Sequence, residues 1–172
     1  ILNLITFTSK KIYTTSSPPL KLFVASFPGE IYGIIAPTQN SIEFIKGSGS
    51  LSSSLQCEMG RTLTYDPYTQ TLTCAFDKRS AKMFSVTPQK IECIGECSFT
   101  GVSLSESKPT NFNVQQVAPC HLASSPHPLF YALCENSALF ICGRMQPLMR
   151  IDSFPGPRIK KLNGSIMESS LT

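Results

Sequence analysis

The chain has 172 residues, of which 41% are hydrophobic and 15% charged, and its net charge is +4. This apolar content suffices for one domain with its own core and argues against intrinsic disorder. The basic residues are scattered, so the charge indicates no dedicated nucleic-acid arm. No apolar run reaches the roughly 18 residues that a membrane span requires.

Ser, Thr, Pro and Gly are abundant and the apolar residues recur in short alternating runs, which favours β-strands separated by turns over helices. We predict strands, in chain order, at residues 2–7, 21–27, 31–36, 42–46, 62–65, 71–76, 81–86, 91–94, 129–134, 138–142 and 148–151. Residues 47–54 read as a flexible Gly/Ser loop, 98–116 as a polar loop insertion and 163–172 as a tail. The sequence therefore predicts a single all-β domain over residues 1–172, or a fragment of a larger one.

Three predicted hairpins resemble one another. Each has an apolar strand, a polar turn and a second strand that opens near a serine, at Ser41, Ser80 and Ser137. Ser41 and Ser80 are 39 positions apart, and Ser137 follows after one such period plus the predicted insertion. A period of about 40 residues with several strands is typical of propeller blades.

Turns such as Tyr65-Asp66-Pro67 and Ser124-Ser125-Pro126-His127 lead into these hairpins, and here the chain resembles the WD40-like β-propeller superfamily over about residues 20–155. It is similar to the divergent members found as scaffolds in splicing, polyadenylation and DNA-damage-binding factors. It has no Trp, hence no Trp-Asp pair, and no Gly-His pair opens a blade. The resemblance implies a partial propeller of three to four blades, and a β-sandwich is the alternative fold.

Period-two alternation also predicts which side chains form the core, because residues two apart share one face of a strand. The predicted core residues are Ile31, Ile34, Leu72, Cys74, Phe84, Leu133, Leu139 and Ile141.

The seven cysteines are irregularly spaced, and most lie in or beside apolar runs, which favours free thiols and an intracellular, reducing location. Ile1–Phe7 lacks the basic region of a signal peptide. The glycosylation sequon at Asn163 leaves secretion open as the alternative. Since the first residue is not Met, we expect the chain to be a piece of a larger protein.

Two pairs of residues are considered as a metal site and as a catalytic thiol. Cys93 and Cys97 are four apart, but a structural zinc site wants four ligands and no second pair has compatible spacing. Cys120 and His121 suggest an activated thiolate, yet neighbouring strand residues point to opposite faces. The sequence therefore predicts no catalytic, cofactor-binding or metal-binding residue, and a Cys-dependent enzyme is the least favoured function.

The predicted function is that of a non-enzymatic scaffold or interaction module in a multi-subunit assembly, with other protein subunits as partners and nucleic acid only indirectly. A secreted or cell-surface recognition domain is the alternative. The candidate partner contacts are Phe7, Phe23, Tyr131, Met145, Arg158, Lys160 and Lys161.

Overall fold

The structure of the protein is a computed structural model, which describes Leu2–Asn3, Thr8–Ser9 and residues 13–60, 62–102, 110–122, 125–135 and 137–151. Every regular element in these ranges is a strand, so the all-β prediction is confirmed. β1 (Leu2–Asn3) and β2 (Thr8–Ser9) pair in a short hairpin. The predicted tail 163–172 and the candidate contacts Phe7, Arg158, Lys160 and Lys161 lie outside the described residues.

Twelve further strands form three antiparallel sheets of four, each in chain order. Sheet 1 contains β3 (Phe23–Phe27), β4 (Ile31–Pro37), β5 (Ser41–Lys46) and β6 (Leu51–Gln56). Sheet 2 contains β7 (Thr62–Asp66), β8 (Thr71–Asp77), β9 (Ser80–Val86) and β10 (Ile91–Ser98). Sheet 3 contains β11 (Val114–Cys120), β12 (Leu129–Cys134), β13 (Leu139–Cys142) and β14 (Pro147–Ile151).

The three similar hairpins of the sequence are the middle pairs of these sheets, β4–β5, β8–β9 and β12–β13. Successive four-stranded meanders that stack face to face are the arrangement of propeller-like blades. The alternative sandwich would pair strands across the 98–116 stretch, but β10 and β11 belong to different sheets.

Sheet 2 lies between sheets 1 and 3, and each of its faces packs in a hydrophobic core. One face meets sheet 1 in a core, the 1–2 core, that includes Phe44, Leu72 and Phe84. The other face meets sheet 3 in the 2–3 core, which includes Met83 and Phe140. Met83 and Phe84 are neighbours that point to opposite sides of β9, and both are fully buried.

Two predicted core residues need correction. Six of the eight are buried, but Ile31 and Ile34 are only half-buried. Ile31 packs at the margin of the 1–2 core, whereas Ile34 lies on the opposite face of β4, and its neighbour Ile35 is the buried residue. Three apolar residues in a row obscured the alternation, so the sequence could not tell which of Ile34 and Ile35 faces sheet 2.

The predicted loops also differ from the structure. Residues 51–54 of the predicted Gly/Ser loop belong to strand β6, because their serines pair with β5 along a sheet edge where apolar side chains are not needed. Both ends of the predicted insertion at 98–116 belong to strands, since β10 ends at Ser98 and β11 begins at Val114. Phe99 and Phe112 in this connection are buried in the 2–3 core.

Candidate functional site

Neighbouring sheets are joined at their first strands by polar contacts. Thr62 Oγ1 on β7 donates to the Gln115 carbonyl on β11 across 3.3 Å. Lys21, just before β3, donates from its Nζ to the carbonyl of Leu63 on β7 across 3.5 Å. These bonds fix the spacing of the sheets at the edge where their first strands converge.

A second contact type joins the fourth strand of one sheet to the turn between the third and fourth strands of the next. Ser52 and Ser53 of β6 donate their hydroxyls to the carbonyls of Pro88 and Thr87, at 2.7 and 2.8 Å. Gly95 of β10 lies against Arg144, and a Cβ at Gly95 would be 2.4 Å from the Arg144 carbonyl oxygen. The contact thus occurs at both junctions, from sheet 1 to sheet 2 and from sheet 2 to sheet 3.

The 2–3 junction also carries a histidine–carboxylate contact. His121 Nε2, directly after β11, lies 3.4 Å from Oδ1 of the buried Asp66 at the end of β7. Asp66 accepts bonds from the Tyr68 backbone N–H and the Thr69 hydroxyl, and the Tyr68 ring stands edge-on to the imidazole. Asp66 therefore stabilises the β7–β8 turn and also contacts His121 of the next sheet.

The structure does not bring Cys120 and His121 together. Cys120 is buried on the outward face of sheet 3 beside Leu129 and Ile141, whereas His121 turns toward Asp66 in sheet 2. Burial raises the pKa of the Cys120 thiol above its usual range, although a bond with Tyr131 opposes the shift. A protonated, enclosed thiol with no base beside it among the residues that the structure describes is a poor nucleophile.

Cys93 and Cys97 are separated by a β-bulge. Cys93 is opposite Phe84 and Cys97 is opposite Ala81, and the register shifts between Cys93 and Gly95. Since Phe84 and Ala81 face different cores, the two thiols point to opposite sides of sheet 2, Cys93 exposed and Cys97 buried. Among the described residues no three His, Cys, Asp or Glu side chains form a metal-binding group.

Exposed apolar side chains are concentrated on the two outer sheets. Of the ten large hydrophobic side chains that are exposed among the described residues, Tyr68 alone belongs to sheet 2. Five lie on sheet 1 or in the segment leading into it, and four lie on sheet 3 or in its turns: Leu20, Leu22, Val24, Tyr32 and Leu51, and Leu122, Met145, Leu148 and Met149. The surface apolar residues therefore mark both ends of the stack.

Two small surfaces stand out at these ends. The turn surface comprises the β5–β6 turn at residues 47–50 with Tyr32 and Leu51, and the Tyr32 ring covers Gly47. The β14 surface comprises Met145, Leu148 and Met149. The candidate contact Met145, 71% exposed, belongs to it, while the candidates Phe23 and Tyr131 are half-buried and pack against core residues.

The comparisons with known proteins leave the family open. No protein-family model matches the chain, and no curated protein matches it. Among solved structures, the chain is similar to the crystal structure of a protein from Lactobacillus plantarum, with 14% identity and a TM-score of 0.44. The match covers 75% of this chain and spans 40% of that protein. The fold assignment therefore rests on the strand topology described above.

No helix in the described ranges is long and apolar enough to cross a membrane.

Proposed function

We propose that the chain is a non-enzymatic interaction module of the WD40-like propeller type that acts as a scaffold within a multi-subunit protein assembly. The observation that carries the proposal is the distribution of exposed apolar side chains, nine of ten on the outer sheets and one on the middle sheet. Exposed apolar side chains that gather on particular surfaces are typical of protein contact sites. The proposed partners are other protein subunits.

The polar side chains support a binding role over catalysis. Asp66 is engaged by its own turn and by His121, and Cys120 is enclosed beside Leu129 and Ile141. The other chemistry-bearing cysteines, Cys93 and Cys97, are on opposite faces of sheet 2. A stack of sheets offers strand faces and turns for binding, and function on such a fold depends on those surfaces.

The thiols support an intracellular location. All seven cysteines are free, and five of them are buried. Free, buried thiols persist most readily in a reducing compartment. The alternative of a secreted recognition domain predicts a glycan on Asn163 and oxidised cysteines, which intact-mass measurement of the native protein with and without thiol alkylation distinguishes.

The scaffold proposal is tested by co-purification from cells of the source organism after in-cell cross-linking. We expect the wild-type chain to retain proteins in stoichiometric amounts and the double variant Tyr32→Glu/Met149→Glu to lose them. Tyr68→Glu is the control, because Tyr68 is more exposed than Tyr32 and Met149 but belongs to the middle sheet. Identical sets of proteins with all three chains, or none in stoichiometric amounts, would contradict the proposal.

A further inference from the structure

Three sulfur-bearing side chains lie together where sheet 1 meets sheet 2. The Cys57 thiol donates to the Met59 thioether across 3.6 Å. The Cys74 sulfur on β8 accepts a bond from the Gly60 N–H across 3.0 Å, so it lies against the peptide that follows Met59. All three side chains belong to the 1–2 core, with Cys57 at its margin. We refer to them as the sulfur cluster.

The segment that carries two of these sulfurs, residues 57–60, is held by both sheets. The N–H groups of Cys57 and Met59 donate to the backbone carbonyls of residues 39–40, in the β4–β5 turn of sheet 1. On the other side, Gly60 packs so closely on β8 that a Cβ there would overlap a backbone carbonyl of that strand. The sulfur atoms are therefore positioned by backbone contacts, which lowers the cost of ordering them around a ligand.

A positive charge lies beside the sulfur cluster. Lys82 on β9 is the cross-strand neighbour of Cys74. Burial raises the pKa of the Cys57 and Cys74 thiols, and the Lys82 charge opposes the shift at both. Two thiolates and one monovalent cation would carry a net charge of −1, which the Lys82 ammonium would balance.

The donor atoms select the kind of metal ion. Thiolate and thioether sulfurs are soft ligands that favour Cu(I). Zinc is bound by cysteine, histidine and carboxylate, and a structural zinc site takes four such ligands. Cys57 is half-buried, so an ion can reach the cluster from solvent, while Met59 and Cys74 shield it from the other side.

We propose that Cys57, Met59 and Cys74 form a binding site for one Cu(I) ion, held by two thiolates and one thioether. On binding, each thiol releases its proton to solvent and forms a sulfur–copper bond, and the copper remains Cu(I), so no electron is transferred. The inference goes beyond the proposed function and does not depend on it. Since Cys57 follows β6 and Cys74 belongs to β8, the bound ion would also link sheets 1 and 2.

The experiment is an anaerobic titration of the purified, fully reduced protein with Cu(I), in competition with a colorimetric Cu(I) chelator. We expect one tightly bound ion per chain, and only sulfur ligands in the X-ray absorption spectrum at the copper edge. Cys57→Ser, Met59→Leu and Cys74→Ala should each weaken binding at least about tenfold, the lower end of what even outer partners of a metal site contribute. Circular dichroism verifies that the variants are folded.

Two controls separate this site from copper held by any thiol or methionine. Met83→Leu is matched to Met59→Leu, because Met83 is also buried but lies in the 2–3 core. Cys93→Ser removes the exposed thiol. Both variants should keep the tightly bound ion. Equal affinity in the wild type, Cys57→Ser and Met59→Leu, loss of the ion in either control, or an affinity no higher than that of the chain unfolded in urea would overturn the proposal.

Discussion

The cysteines occupy environments that differ in solvent access. Cys93 is exposed and Cys57 half-buried, whereas Cys74, Cys97, Cys120, Cys134 and Cys142 are buried. Thiol reactivity requires both access and the thiolate form, and burial opposes both.

We therefore expect a maleimide to modify Cys93 first and Cys57 next in the folded protein, and the five buried thiols only on unfolding. Peptide mass spectrometry after timed labelling checks the order, and labelling in guanidinium, where all seven should react alike, is the control. Modification of Cys120 as fast as Cys93, together with loss of a measurable turnover, would support the alternative of a Cys-dependent enzyme.

The buried thiols also predict how stability depends on pH. Burial is the main cause that raises the pKa of Cys74 to about 11 and that of Cys134 to about 12, from the ordinary thiol value of 9.0. The native state thus holds these protons more tightly than the unfolded chain does. This contribution to stability is complete below about pH 9 and is lost as the pH rises through the folded values.

The free energy of unfolding, measured by urea titration, should therefore be nearly constant below about pH 9 and fall between about pH 9 and pH 11. Cys134→Ala should reduce the slope of this fall, although it lowers stability at pH 8. A wild-type stability that is flat or rises over this range would contradict the assignment.

At the scale of elements, the approach of β10 to the β13–β14 turn depends on Gly95. A Cβ there would lie 2.4 Å from the Arg144 carbonyl oxygen and 2.7 Å from the Arg144 Cβ, so the two sheets would have to separate. Gly95→Ala should lower the free energy of unfolding by about 1–3 kcal/mol, as overpacking does. Urea titration measures the change.

Gly143→Ala is the matched control, because the nearest atom to its Cβ would be Leu148 Cδ1 at 3.4 Å. Its effect should stay within about 0.5 kcal/mol. Equal effects of the two substitutions would show that the contact between β10 and the turn does not limit the spacing of sheets 2 and 3.

At the scale of the whole molecule, sheet 2 couples the two cores. Phe84 lies in the 1–2 core and Phe140 in the 2–3 core, and both are fully buried. Phe84→Ala and Phe140→Ala should each cost about 3–5 kcal/mol. Because sheet 2 belongs to both cores, each variant should still unfold in one transition at a lower urea concentration, seen alike by far-ultraviolet circular dichroism and tyrosine fluorescence. A second transition in either variant would show that the sheets unfold independently.

Part of this fold could be predicted from local pattern alone. The hairpins β4–β5, β8–β9 and β12–β13 combine apolar strands with polar turns, and the prediction located them within a residue or so. β6 and β11 were not predicted, because Leu51–Gln56 and Val114–Cys120 carry few apolar residues in alternation. These strands form because their backbones pair with a neighbouring strand. Backbone pairing does not require an alternating pattern of apolar residues in the sequence.

The candidate site was less accessible from the sequence. Met145 was named and is exposed, but Tyr32, Leu148 and Met149 were not, since nothing local separates an exposed apolar residue from a buried one. The signal available was the serine-rich character of β6 compared with the apolar character of β14, which becomes informative only once the two are known to be equivalent strands.

The sequence by itself determined that this chain forms short strands in repeated antiparallel hairpins, because alternation and turn chemistry act between near neighbours. The tertiary structure alone decided which face of each strand is buried and which apolar residues reach the surface. In sheet 2 both faces are covered, so Met83 and Phe84 are equally buried and alternation loses its meaning there. Sheets 1 and 3 each have one face with no described sheet packed against it. Which residues lie on that face depends on the order in which the sheets stack, and no local pattern contains that order.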